Sequence, residues 1–316
     1  MLFIPRKGEG KEVKELDLVI IGSGPAGLTA GIYAARSGLS GVILEKGVGG
    51  GLAAEAPFVE NYTGFFGIKG EELARKMKEH ASMYMPVVEL SPVTEILKTE
   101  DGRYAVKSEQ GEYLANAIIF ATGTTHKHLN VKGEHEYYGK GLSYCVTCDG
   151  YFFKGKRVVV IGGGNSGAAA ALVLSGVAKE VIILEFMPRY MCENFYVKKL
   201  EEQGVKYIMN SQVTEIFGDD SVKGVKYIDR NTGEERTIET DGIFIYVGLV
   251  PQSELAKNLG CELTERGYIK VDNRMRTNLP RVYAAGDVTG GVAQIIVAAA
   301  QGAIAALSAY EDLRLK

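Results

Sequence analysis

Leu16-Asp17-Leu18-Val19-Ile20-Ile21 runs directly into Gly22-Ser23-Gly24-Pro25-Ala26-Gly27, and this junction decides the fold. A short apolar run ending in glycines reads as a fully buried parallel strand. Residues 28–36 follow as an alanine-rich helical stretch, and Gly41-Val42-Ile43-Leu44-Glu45 as a second strand closed by an acid. A lone GxGxxG is weak evidence, but strand, motif, helix, strand and terminal acid together specify a dinucleotide-binding βαβ unit. Gly22 permits the tight turn, Gly24 lets a pyrophosphate approach the backbone, and Gly27 lets helix and strand pack closely. The helix start offers unpaired N–H groups to phosphates, and Glu45 can accept hydrogen bonds from ribose hydroxyls.

The same pattern returns about 140 residues on. Arg157-Val158-Val159-Val160-Ile161 is the strand, Gly162-Gly163-Gly164-Asn165-Ser166-Gly167 the turn, residues 168–174 open the helix, and Val181-Ile182-Ile183-Leu184-Glu185 ends in an acid. An internal repeat of a whole βαβ unit predicts two nucleotide-binding domains of similar fold. Between and after the repeats, residues 87–120 read as short alternating strands with turns at Asp101-Gly102 and Gln110-Gly111, and strands near 205–209, 213–217, 223–229 and 235–239 read as a second antiparallel insert. The tail holds an apolar strand, Arg281-Val282-Tyr283-Ala284-Ala285-Gly286-Asp287, and a small-residue helix over about 293–312. This predicts that the tail returns to the first domain, giving residues 1–124 with 250–316 as a discontinuous domain and 125–249 as the second. Segments 124–127 and 248–251 would be the two crossing strands. The fold class expected is α/β, with two Rossmann-like domains in three-layer ββα form.

The 316-residue chain carries 46% hydrophobic and 24% charged residues and a net charge of −3. That balance gives no electrostatic footprint for nucleic acid or an anionic membrane. Residues 1–15 read as a polar leader without the apolar core of a signal peptide. The apolar run 282–309 is interrupted by Asp287, Gln294 and Gln301, so a buried helix is expected there and no membrane span. Four cysteines, of which two are clustered, do not make a secreted disulfide framework. A cytoplasmic setting is expected.

The clustered pair is Cys145-Val146-Thr147-Cys148-Asp149, placed just before the second glycine motif. A CxxC can close a small disulfide ring or supply half a metal site; His126, His128 and His135 lie near enough in sequence to be imagined as further zinc ligands. His126 and His128 read more simply as hinge residues and His80 as a surface helix residue. Cys192 and Cys261 read as packing residues. Tyr144 and Tyr151–Phe153 read as shielding the pair and packing the domain.

Taken together, these motifs resemble the low-molecular-weight thioredoxin reductases over about residues 15–312. The resemblance is carried by Gly22–Gly27, Glu60-Asn61, Ala121-Thr122-Gly123, Cys145–Asp149, Gly162–Gly167, Gly248-Leu249-Val250-Pro251, Gly286-Asp287 and Ala293-Gln294. It implies a flavin-dependent disulfide reductase with FAD at the first site, held by Gly22, Gly24, Pro25, Ala26, Gly27, Glu45, Lys46, Gly51, Leu52, Asn61, Ala121, Thr122, Gly123, Gly286, Asp287, Ala293, Gln294 and Ile295. It implies a nicotinamide nucleotide at the second, near Gly162, Gly164, Asn165, Ser166, Gly167, Glu185 and Arg189. Cys148 would face the flavin, Cys145 would attack a thioredoxin-like partner through a mixed disulfide, and Asp149 would supply or take the proton. Family members reduce the pair at the flavin and expose it to the partner by rotating one domain against the other, and they are usually homodimers. No metal is expected.

One stretch departs from the family. NADPH-using members carry a basic cluster after the second acid, whereas this chain reads Glu185-Phe186-Met187-Pro188-Arg189. A carboxylate can bond ribose hydroxyls but repels a 2′-phosphate. NADH is therefore the expected donor over NADPH, with a non-nicotinamide reductant left open. Reduction of another redoxin or a peroxiredoxin, and a flavin protein whose cysteines only sense redox state, are the alternatives.

Overall fold

A computed structural model describes residues 13–56 and 58–315 of the chain. Most of the expected polar leader lies outside these residues. The described chain separates into two units, one running up to Thr125 and resuming at Val250, the other spanning His126–Leu249.

In the first unit, the strand Lys14–Ile21 pairs in parallel with Gly41–Leu44 on one side and Glu112–Phe120 on the other. The run expected to be a buried strand is one: Leu18, Val19 and Ile20 are solvent-inaccessible. Alternation assigns its two faces. Leu18 and Ile20 share a core with Ala30 and Ala34 of the helix Pro25–Arg36, while Val19 and Ile21 join Val106 and Tyr113 on the opposite face. The tail strand Val282–Ala284 pairs in parallel with Glu112–Phe120. The helix Ile295–Tyr310 packs on Pro25–Arg36 through small residues; a Cβ on Gly302 would lie 2.0 Å from the Ala26 carbonyl oxygen.

The antiparallel strands expected as an insert are joined to the main sheet. The nine residues of Glu112–Phe120 pair antiparallel with Tyr104–Ser108 near their start and parallel with Val282–Ala284 near their end. Val93–Lys98 extends this sheet antiparallel to Tyr104–Ser108, while Val87–Val88 pairs in parallel with Gly41–Leu44 at the far edge.

The second unit repeats the plan. Its sheet runs in the order Lys206–Ile208, Glu180–Leu184, Arg157–Ile161, Gly242–Ile245, Leu142–Ser143, all parallel. Val158, Val160 and Ile183 face the helix Asn165–Ser175, whereas Val159, Ile161 and Ile182 face a three-stranded antiparallel sheet carrying Ile216, Val225 and Tyr227. This is the ββα layering. The strand near 205–209, expected in the antiparallel insert, is instead the parallel edge of the main sheet. The insert proper is Ser211–Gly218, Val222–Asp229 and Glu234–Glu239.

The two connecting segments, Thr124–His126 and Leu249–Pro251, pair as a two-stranded ribbon. The apolar run 282–309 is divided between a strand and the tail helix, and no helix among the described residues is long and apolar enough to cross a membrane.

Candidate active site

The cysteine pair is closed. Cys145 and Cys148 are disulfide-bonded, with Cα atoms 5.4 Å apart. Cys145 caps the short helix Val146–Asp149, and its Sγ accepts the Cys148 N–H at 3.2 Å. A sulfur that already receives an N–H is prepared to carry negative charge as a thiolate. Cys145 is half-buried and Cys148 exposed, with Asp149 half-buried beside it. Among the described residues the Asp149 carboxylate bonds nothing, and only its backbone N–H is engaged, by the Cys145 carbonyl at 3.2 Å. No group of three or more metal-ligating side chains occurs among the described residues.

The first glycine motif is built as its spacing requires. Gly22 has φ +103, and a Cβ there would lie 2.3 Å from the Ala121 oxygen; one on Gly27 would lie 1.9 Å from the Gly22 oxygen. Gly24 differs, because its Cβ would meet nothing nearer than Gly51 Cα at 4.0 Å. The helix after it has no side-chain cap and carries Pro25 at its start, so its first N–H groups remain for an anion. Ala121 and Thr122 close the wall behind Gly22, and a Cβ on Gly123 would meet nothing within 4 Å. Glu45 is a strut: one oxygen accepts the Ser23 N–H at 2.8 Å, the other the Gly47 N–H at 2.9 Å.

Around this turn the structure gathers several residues expected there. Gly51 (φ +56) abuts Gly24 and caps the short helix that begins at Leu52. Asn61 Nδ2 donates to Gln294 Oε1 at 2.9 Å, Lys46 Nζ to Gln252 Oε1 at 3.3 Å. Gln294 caps the tail helix, whose first residue is Ile295, and Ala293 precedes it. Burial raises the Asp287 carboxyl above the ordinary aspartate range, and no described residue bonds it. Gln301 is a residue that sequence reading missed; its Oε1 accepts the Gly286 N–H at 2.8 Å and holds the turn before Asp287.

The second motif has the same frame. Gly162 (φ +96) and Gly167 are required by the Tyr246 and Gly162 oxygens, which added Cβ atoms would approach to 2.1 and 1.9 Å, while Gly164 faces open space. Its helix also lacks a side-chain cap. Asn165 and Glu193 bond each other twice, at 2.8 and 2.9 Å; Ser166 is exposed. Glu185 is 6% exposed and accepts the N–H groups of Gly163 at 2.7 Å and Met187 at 2.8 Å. Arg189 is exposed and forms no ion pair among the described residues. A second base stands at this loop: Arg230 lies 3.9 Å over the Phe186 ring and donates to the Phe186 oxygen at 2.8 Å. It arrives from the antiparallel sheet, so no local spacing reveals it.

The expected packing of Tyr151 and Phe152 needs correction, and the two histidines make contacts beyond those expected. Phe153 packs against Phe244, but Tyr151 and Phe152 are 72% and 71% exposed. His126 and His128 are more than connecting residues, because both rings contact Tyr144, the neighbour of Cys145. Cys261 is the packing residue expected, its thiol pushed up to about 11 by burial, and half-buried Cys192 is raised likewise.

The pattern of the pyridine nucleotide-disulphide oxidoreductase family matches residues 16–302. The crystal structure of T. acidophilum thioredoxin reductase is 58% identical, with a TM-score of 0.92, over 95% of this chain and 99% of its own. Thioredoxin reductase of Bacillus subtilis (strain 168) is 39% identical over 300 residues, 94% of each chain. An alkyl hydroperoxide reductase component from Pseudomonas aeruginosa is 40% identical over 305 residues, 94% of this chain and 58% of its own. The chain belongs to the pyridine nucleotide-disulphide oxidoreductase family, in its low-molecular-weight thioredoxin reductase branch. It is a flavoprotein oxidoreductase acting on disulfides. FAD, which the family implies, fits the first motif: open space at Gly24 and Gly123, an uncapped helix start and the unbonded Asp287 carboxyl stand in one unit.

Proposed function

We propose that this enzyme is a thioredoxin reductase in which Cys145 exchanges with the partner disulfide and NADH is preferred over NADPH. The observation that carries the exchange assignment is the Cys145–Cys148 disulfide, with the Cys148 N–H already aimed at the Cys145 sulfur at 3.2 Å. Flavin held at the first motif would, once reduced by the electron donor, supply the two electrons that open this bond. The Cys145 thiolate then attacks one sulfur of the partner disulfide, forming a mixed disulfide and releasing a partner thiolate. The Cys148 thiolate attacks the Cys145 sulfur, restores the internal disulfide and releases the second partner thiolate. Two electrons and two protons leave with the dithiol, and Asp149 is the group assigned to proton transfer.

The donor preference rests on charge. The second motif's loop offers Glu185, a lone exposed Arg189 and an Arg230 engaged with Phe186. A bias of about 1.4 kcal/mol against the 2′-phosphate gives a tenfold preference. Anaerobic bleaching of the flavin tests it: NADH should act at lower concentration than NADPH, and rapid bleaching by micromolar NADPH overturns the preference. A non-nicotinamide donor run alongside reports a third source. Loss of steady disulfide turnover in Cys145→Ser and in Cys148→Ser is expected; persistence in either rejects a relay through the pair. The alkyl hydroperoxide reductase relative supports a second reading, reduction of another redox protein or a peroxiredoxin. Assays with purified partners separate the two.

A further inference from the structure

The backbone on both sides of Cys145 is tied to side chains outside the short helix. On its N-terminal side, Ser143 Oγ accepts the Cys145 N–H at 3.0 Å. Tyr144, the preceding residue, sends its hydroxyl outward to Glu134 Oε1 at 2.6 Å, and that hydroxyl lies 2.7 Å from His128 Nδ1. Glu134 is 1% exposed and accepts the Leu129 and Asn130 N–H groups as well, at 2.8 and 2.5 Å. Because the tyrosine proton goes to the carboxylate, the histidine must donate through Nδ1. On the C-terminal side, the Val146 N–H donates to Tyr246 Oη at 3.1 Å. His126 bridges the two tyrosines, stacked on Tyr144 at 5.8 Å and edge-on to Tyr246 at 6.3 Å. Thr147 and Cys148 are exposed. Besides the disulfide, Cys148 is held by its N–H bond to Cys145 Sγ and by the helix turn in which the Asp149 and Gly150 N–H groups bond the Cys145 and Val146 oxygens.

We propose that Glu134, Tyr144 and His128 are positioning residues that hold the Cys145 half of the pair still when the disulfide opens, so that Cys148 is the sulfur that moves. This rests on the reading of Cys145 as the exchanging sulfur. A fixed Cys145 keeps the N–H of Cys148 within reach of its thiolate, and a loosened one loses it. None of the three residues touches a reacting atom; they act through the backbone of Cys145.

The test uses the dithiol form of the flavin-loaded full chain and limiting iodoacetamide, with alkylation of each cysteine followed by mass spectrometry. In wild type Cys145 should alkylate faster than Cys148. In Tyr144→Phe, which keeps the ring contacts, that ratio should fall at least fivefold, and kcat with a small aromatic disulfide should fall with KM unchanged. His128→Ala should lower the ratio in the same direction, and His128→Asn, which keeps a donor at the Nδ1 position, should restore it. A Tyr144→Phe ratio within twofold of wild type overturns the anchor. If Tyr144→Phe does not retain flavin, the exposed His128→Ala variant decides by the same criterion. If wild-type Cys148 alkylates first, the exchange assignment fails, and the anchor fails with it.

Discussion

Glu45 and Glu185 perform the same task in separate units. Each accepts the N–H of the second residue of its glycine motif, Ser23 at 2.8 Å and Gly163 at 2.7 Å, and each accepts the N–H two residues beyond itself, Gly47 at 2.9 Å and Met187 at 2.8 Å. The strand-ending acid thus braces the phosphate loop before any ribose arrives; Glu45 Oε2 also accepts the Ser23 hydroxyl at 3.0 Å, which leaves its Oε1 with a further lone pair for a ligand. Glu45→Ala should cost about 1–3 kcal/mol in chemical denaturation, the penalty of orphaned N–H groups, and should weaken FAD binding. Unchanged stability argues against the brace.

Gly24 and Gly27 make a discriminating pair. Gly27→Ala drives a methyl to 1.9 Å from the Gly22 oxygen, so the turn must distort, with loss of about 1–3 kcal/mol or more. Gly24→Ala meets only Gly51 Cα at 4.0 Å, so the fold should persist while flavin affinity drops at least tenfold. Thermal melts and flavin titrations of both apoproteins check this; tight FAD binding by Gly24→Ala rejects the phosphate assignment.

Gln301→Leu should leave the Gly286 N–H without its acceptor. A loss of about 1–3 kcal/mol is expected, with faster FAD release, because the same turn carries Asp287. Release kinetics equal to wild type show that the turn stands unaided.

Glu134 predicts a pH dependence. Burial pushes its carboxyl up, but bonds from Tyr144, Leu129 and Asn130 and the neighbouring His128 leave it below the ordinary glutamate range. A depressed folded-state value contributes stability that is present above the unfolded value, about 4.3, and is lost as pH falls through the folded value. The stability gap between wild type and Glu134→Gln should therefore narrow below about pH 4.3. A gap that stays constant from neutrality into acid removes Glu134 as the source.

Local patterns are legible because their physics is local. Leu16–Gly27 and Arg157–Gly167 announce strand, turn and helix within a dozen residues, and both units bear them out. The place of Lys206–Ile208 is not legible, because three residues carry no record of whether their partner runs parallel or antiparallel. Arg230, Gln301 and Glu134 are invisible for other reasons. Arg230 and Gln301 act on segments that the fold brings near, such as Phe186 for Arg230, 44 positions away. Glu134 bonds residues only 4 to 10 positions off, but in a loop with no periodic pattern to mark it. The tie between His128 and Tyr144 also spans a loop, and only the buried carboxylate of Glu134 explains it.

The paired ribbon of Thr124–His126 and Leu249–Pro251 has a consequence for biosynthesis. The inner unit is translated whole while the outer one still lacks Val282–Ala284 and Ile295–Tyr310. Domains generally fold as units in order of synthesis, so the inner unit is complete first and the outer unit must wait for its final strand and helix. Gly286, Asp287 and Gln294 leave the ribosome with those last elements. On the reading that these residues hold flavin, its capture comes only after the inner unit is complete, and a chain stalled before Val282 would display its cysteine pair without the means to recharge it.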